Sequence, residues 1–235
     1  MENNFESGKA NDTGAALADT GASTNNESIV NVLAILSDGK TTMRGPSGTG
    51  FIVDYDKAEQ CTVATSLHAI IPDSRAPLAS IEVTGADGKK YPAHFAEVDR
   101  PHDLALLTLD GVSKTDSVCK HLPLADDLNN LKAGDSVTRL TRSRWGDASQ
   151  NVGSFTFSAK RDDIELVKLE GEDFNRSVMV FDLYNNRGVD LGGSPILNSE
   201  GKVIAIHGGG LDGKTSVATP VDSLQSLMKV EHGKR

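Results

Sequence analysis

The sequence predicts an all-β protein, a sandwich or a pair of barrels, closed by a single C-terminal helix. Three observations carry that prediction. Past residue 28 the chain breaks into thirteen short apolar runs spaced near ten residues apart. Turn-forming pairs such as Asp87-Gly88 and Glu200-Gly201 punctuate them. No long amphipathic helix alternates with the runs, as the crossovers of a parallel sheet would require.

The predicted strands, in order, are Ile29–Leu36, Gly50–Asp54, Thr62–Thr65, Ser80–Thr84, Ala93–Val98 and Leu104–Leu109, then Ser136–Thr141, Gly153–Ala159, Ile164–Leu169, Val178–Asp182, Ser194–Leu197, Val203–Gly208 and Ser216–Pro220. Each is a short apolar run set off by Gly, Pro, Asp or Asn. The helix is expected over Val221–Val230, where Asp222 lies near the start and Leu224, Leu227 and Met228 share one face. Residues Met1 to Ser28 are rich in Asn, Gly, Ala, Thr and Ser. With Phe5 and Leu17 as their large apolar side chains, they bury too little area to offset the entropy of ordering them, and a disordered tail is expected. A polar tail is expected over 229–235.

Composition narrows the function classes. The 235 residues are 37% apolar without glycine, enough for a sizeable core, and no run approaches the roughly 18 apolar residues of a membrane span. The N-terminus has neither a basic start nor an apolar run, so no signal peptide is written there. With 24 Lys and Arg against 33 Asp and Glu the net charge is −9, and no basic run offers nucleic acid or an anionic membrane a landing site. Arg139, Arg142, Arg144 and Trp145 together read as a cation-decorated loop. Cys61 and Cys119 have no CxxC spacing, which excludes a zinc ribbon. They are read as two buried thiols, cysteine being among the most often buried residues, with a single disulfide as the alternative.

Three segments carry chemistry-bearing residues. Thr65-Ser66-Leu67-His68-Ala69-Ile70 follows a strand, so His68 stands at a strand end rather than on a core face. Pro101-His102-Asp103-Leu104-Ala105 opens a buried strand with an acidic residue. Gly188-Val189-Asp190-Leu191-Gly192-Gly193-Ser194-Pro195 is a glycine-rich turn entering a strand, and Ile206-His207-Gly208-Gly209 follows it. The order is His, Asp, then a Gly-Ser-Pro turn. A serine hydroxyl attacks well only when an imidazole takes its proton, and the imidazole needs a carboxylate to fix its tautomer. Flanking glycines let backbone N–H groups point at a developing oxyanion. His68 with His102 suggests a metal pair, but neighbouring residues on an extended chain point apart, and no metal or other cofactor is expected.

On these residues the chain, from about Ile29 to Met228, resembles the trypsin-like serine peptidases of chymotrypsin fold, above all the HtrA/Deg proteases and the bacterial glutamyl endopeptidases. Gly48–Asp54 is similar to the family's Ser-Gly-Ser-Gly-Phe-Ile-Ile strand, Thr65–Ile70 to its Thr-x-x-His-Val-Ile block, Asp103–Leu107 to its Asp-Leu-Ala-Leu-Leu block, and Ser216–Asp222 to the strand before its last helix. The resemblance implies two packed six-stranded antiparallel barrels, about 29–126 and 127–228, with the site in the cleft between them. It implies His68 as general base and Asp103 as the orienting carboxylate. It also implies a substrate-binding role for His207, Gly208 and Gly209, since His207 resembles the histidine with which glutamyl endopeptidases receive an acidic side chain; Arg187 could line the same pocket. Partners would be a polypeptide substrate or a protein segment in the cleft, and the family is mostly exported. The chain is expected to end after the helix, without the peptide-binding module that HtrA proteins often append.

The nucleophile turn departs from the family pattern. Counting back without a gap from Ile196-Leu197-Asn198, the position of the attacking serine falls on Gly192, and Ser194 takes the family's second, structural Ser/Gly position. The expectation is a protease homologue that has lost its nucleophile and binds peptide or protein. The alternative is an active endopeptidase using Ser194 with His68 and Asp103. That requires a two-residue shift of the loop, which Pro195 opposes because it fixes φ at the strand entry.

Overall fold

A computed structural model describes residues 25–55, 57–71, 76–143, 148–160, 177–183, 192–210 and 215–229. Twelve strands are described. They are β1 (Ile29–Ser37), β2 (Thr42–Val53), β3 (Gln60–Ser66), β4 (Leu78–Thr84), β5 (Lys90–Asp99), β6 (Leu104–Ser113), β7 (Ser136–Arg142), β8 (Ala148–Lys160), β9 (Ser177–Leu183), β10 (Pro195–Leu197), β11 (Val203–Gly210) and β12 (Thr215–Pro220). The helix α1 (Val221–Lys229) follows directly. The strands close into two antiparallel barrels, in the orders β1-β2-β3-β6-β5-β4 and β10-β11-β12-β9-β8-β7. Closure leaves neither sheet with an unpaired edge. The expected all-β pair of six-stranded barrels with a closing helix is the observed architecture.

The expected N-terminal tail up to Thr24, the strand Ile164–Leu169 and the tail from 230 lie outside the described residues. The largest difference within them is β2, which begins eight residues before the expected Gly50. Gly45, Pro46 and Gly48 there carry the composition of a turn. The chain nevertheless stays extended, because Thr42 to Ser47 pair with β1 from Ser37 back to Leu33.

Why the site-bearing strands are apolar on both faces follows from the packing. Along β6, Ala105, Leu107 and Leu109 point into barrel one with Val30, Val32, Val63 and Ile81. Leu104 and Leu106, one position out of step, join Phe51 and Ala64 in a second cluster that continues into barrel two through Ile196, Ile206, Ala218 and Leu224. Side chains alternate with a period of two, so a strand sandwiched between its own barrel and the other one reads as a continuous apolar run.

Cys61 and Cys119 are joined by a disulfide with Cα atoms 5.6 Å apart. This corrects the expectation of two buried thiols: β3 and the segment after β6 bring the cysteines together across 58 residues. A second correction concerns the arginines. Arg139 and Arg142 do not decorate a loop but lie on β7, 1% and 7% exposed; Arg144 and Trp145 lie outside the described residues. Arg142 reaches across to barrel one, its Nε donating to the Ile29 carbonyl at 2.6 Å and Nη2 to that of Asn26 at 2.8 Å. Burial pulls its guanidinium below its ordinary pKa, and an arginine keeps its charge even so.

Candidate functional site

The seam between the barrels gathers residues that are far apart in sequence. β3 runs out at Ser66 into a short 3-10 turn, Leu67–Ala69, with His68 at its centre. The β5–β6 connection delivers Asp103 beside it. The His68 peptide N–H donates to Asp103 Oδ1 at 2.8 Å, and His68 Nδ1 lies 2.6 Å from Oδ2. An ionised carboxylate only accepts, so Nδ1 carries the proton and Nε2 is left as the acceptor. The Asp103 side chain is 8% exposed and that of His68 is 19% exposed, which leaves the imidazole reachable and its carboxylate enclosed. The Leu67 N–H bonds to the Asp103 carbonyl at 3.0 Å and adds a third tie between the two segments.

Nε2 faces the glycine-rich turn of barrel two. A Cβ built on Gly192 would stand 2.5 Å from His68 Nε2 and 2.9 Å from Cε1, so the imidazole occupies the space that a side chain at 192 would need. Backbone bonds fix the turn there. Thr49 N–H donates to the Gly192 carbonyl at 2.9 Å, Gly193 N–H to that of His207 at 2.8 Å, and His207 N–H to that of Ser194 at 2.8 Å. Gly193 has φ +86°, and a Cβ on it would collide with the Thr49 carbonyl oxygen and Thr65 Oγ1, so this position requires glycine. Gly48 is needed for a similar reason: a Cβ there would lie 2.6 Å from both Ala69 Cβ and the Gly192 carbonyl oxygen. Ser194 is 0% exposed at the entry to β10.

His207 is also 0% exposed. Its Nε2 lies 2.9 Å from Arg139 Nη1 and 3.2 Å from Ser216 Oγ. Arginine can only donate, so Nε2 accepts. Its carbonyl receives Ser66 Oγ from barrel one at 3.0 Å. Gly208 is buried, Gly209 half-buried and Gly210 exposed, so β11 rises to the surface along the predicted binding strand. His102 turns to Asp99, with Nδ1 2.6 Å from Oδ2, and not to His68. Among the described residues no group of three or more His, Cys, Asp or Glu is placed to hold a metal. Arg187, Asp190 and Leu191 lie outside the described residues.

Of the predicted site residues, then, the fold brings His68, Asp103 and position 192 together, and sets Ser194 and His207 in the buried floor behind them. Sequence reading missed Arg139 as the partner of His207, and Thr49 as the residue that ties the turn to barrel one. The only signal either offered was its place in a predicted strand or motif.

A family model described as a trypsin-like peptidase domain matches residues 48–206. Among curated proteins, the chain is 23% identical over 207 residues to serine protease HTRA1 of Xenopus laevis, covering 88% of this chain and 40% of that protein. It is 22% identical over 192 residues to the mitochondrial serine protease HTRA2 of Drosophila virilis, covering 78% and 39%. The chain thus spans about two fifths of the length of the curated relatives it matches. Among solved structures, a protease of M. tuberculosis in its active form superposes with a TM-score of 0.66 at 17% identity, covering 91% of this chain and 86% of that one. That likeness is one of fold.

Proposed function

The chain belongs to the trypsin-like peptidase domain family, and from that premise we propose that it is a serine protease homologue in which glycine replaces the attacking serine, so that the cleft binds peptide or protein segments without cutting them. One observation carries this reading. The residue whose side-chain direction leads to His68 Nε2 is Gly192, and that direction closes on the ring within 2.5 Å. The acyl-enzyme route needs an oxygen at that point, held within hydrogen-bond reach of the imidazole. Ser194, the single serine in the 188–195 sequence, is fully buried. What remains among the described residues of the turn is a base held by a carboxylate, facing a glycine and not a hydroxyl. Removing any one triad member leaves a residual enhancement of about 10³–10⁴ over water from binding and the oxyanion hole. Recognition by the cleft outlasts that loss, because it does not use the serine oxygen. The curated relatives are named as serine proteases, so polypeptide is the ligand class that fits.

The test uses an activity-based fluorophosphonate and denatured casein. The expected result is no fluorophosphonate adduct by intact mass, no casein cleavage, and a shift of the His68 imidazole resonances when casein peptides are titrated in. An adduct mapped to Ser194, or casein turnover that disappears in Ser194→Ala, would establish the active-enzyme alternative instead. Unmoved His68 resonances at saturating peptide would remove the binding role.

A further inference from the structure

Two imidazoles on this edge of barrel one are held by the same pattern. His68 takes Asp103 through its peptide N–H and Nδ1. His102 takes Asp99 in the same way, its N–H donating to Oδ1 at 3.2 Å and its Nδ1 lying 2.6 Å from Oδ2. The second pair sits inside the turn that presents Asp103. Asp103 itself has φ +57°, the one positive φ of a non-glycine residue among those described. A side chain adopts that region only where its surroundings over-determine it. Asp103 N–H donates to the Arg100 carbonyl at 3.0 Å, which curls the turn. The Asp99 carboxylate then grips His102, the residue directly before Asp103. Barrel two closes on the same point: Thr219 on β12, 2% exposed, donates its hydroxyl to the His102 carbonyl at 3.0 Å across 117 residues of sequence.

We propose that Asp99, His102 and Thr219 are positioning residues of the His68–Asp103 pair. Asp99 and His102 hold the turn so that Asp103 stays in the left-handed conformation that aims its carboxylate at His68. Thr219 makes that alignment depend on the docking of barrel two. His102 is thereby a structural partner of the dyad and not a second ligand or base. The inference goes beyond the binding reading and is independent of it: the fluorophosphonate result turns on position 192, whereas this one turns on the geometry of Asp103.

Proton NMR of the full chain labelled at histidine tests it. The hydrogen-bonded Nδ1 proton of His68 gives a low-field resonance, assigned by its loss in His68→Gln. Thr219→Val removes the hydroxyl with little change of shape, and Thr219→Ser keeps it. The expected result is that this resonance is lost to exchange or moves upfield in Thr219→Val and in Asp99→Asn, and returns to its place in Thr219→Ser. Dispersed core methyl signals establish that each variant is folded. A folded Thr219→Val or Asp99→Asn protein that keeps the His68 resonance in place overturns the proposal. Should Thr219→Val not fold, Asp99→Asn alone decides it.

Discussion

Gly192 and His68, contributed by different barrels, are packed so closely that a Cβ on the glycine would lie 2.5 Å from the imidazole Nε2. The absent side chain is therefore not an empty pocket. The ring has taken up the space, and the turn is held against it by the bond from Thr49 N–H to the Gly192 carbonyl at 2.9 Å.

Filling that space carries a cost. Gly192→Ala should lower stability by about 1–3 kcal/mol, the usual range for an overpacked site, seen as a lower urea midpoint at unchanged slope. Gly192→Ser should be destabilised to a similar extent. It should also gain a fluorophosphonate adduct at position 192 that disappears when His68→Ala is added. An alanine variant as stable as the parent would show that position 192 does not face the ring.

The disulfide encloses both members of the dyad, since residues 68 and 103 lie within the 58-residue span from Cys61 to Cys119. Constraining an unfolded loop of that size contributes about 4 kcal/mol by the chain-entropy argument. Urea unfolding of the Cys61→Ser/Cys119→Ser variant, or of the parent under reductant, should show a loss of that order. Unchanged stability under full reduction would contradict the bond's structural weight.

Tyr91 should give barrel one an alkaline signature. Its hydroxyl donates to Asp87 Oδ2 at 2.7 Å, and that bond, with burial and the charges of Asp87 and Asp116, raises the phenol from its ordinary 10.0 to about 12. The folded pKa lies above the unfolded one. The contribution is therefore fully present below pH 10 and is lost as pH rises through about 12. Titration followed at 295 nm should show a late-ionising tyrosine that is absent in Tyr91→Phe.

Much of this was legible in the chain because strands and turns are written locally. The alternation of β6, the turn pairs and the run from Ser216 into α1 each depend on neighbours a few residues away. Interest in Gly192 also arose from local sequence, by an unbroken count back from Asn198, and the structure sets that glycine against His68. The beginning of β2 was missed because Gly45, Pro46 and Gly48 look like a turn until β1 pairs with them. Arg139 and Arg142 were misplaced because a charged side chain in a strand reads as solvent-facing. His207, on β11 of the same barrel, receives the first and the Ile29 carbonyl of the other barrel the second, and neither is a neighbour in sequence.

The sequence alone determined the class of fold, the order of the described strands along the chain, and the identities of His68, Asp103 and Gly192 as residues to watch. Only the tertiary structure decided that His68 lies against that glycine, that Cys61 bonds Cys119, that Asp103 sits in a left-handed turn, and that Thr219 reaches His102. The three long-range contacts among these, Gly192 with His68, Cys61 with Cys119 and Thr219 with His102, join residues 58 or more apart. Local periodicity fixes which way a side chain points from its own strand, but what it meets is set when two barrels close and bury their shared face.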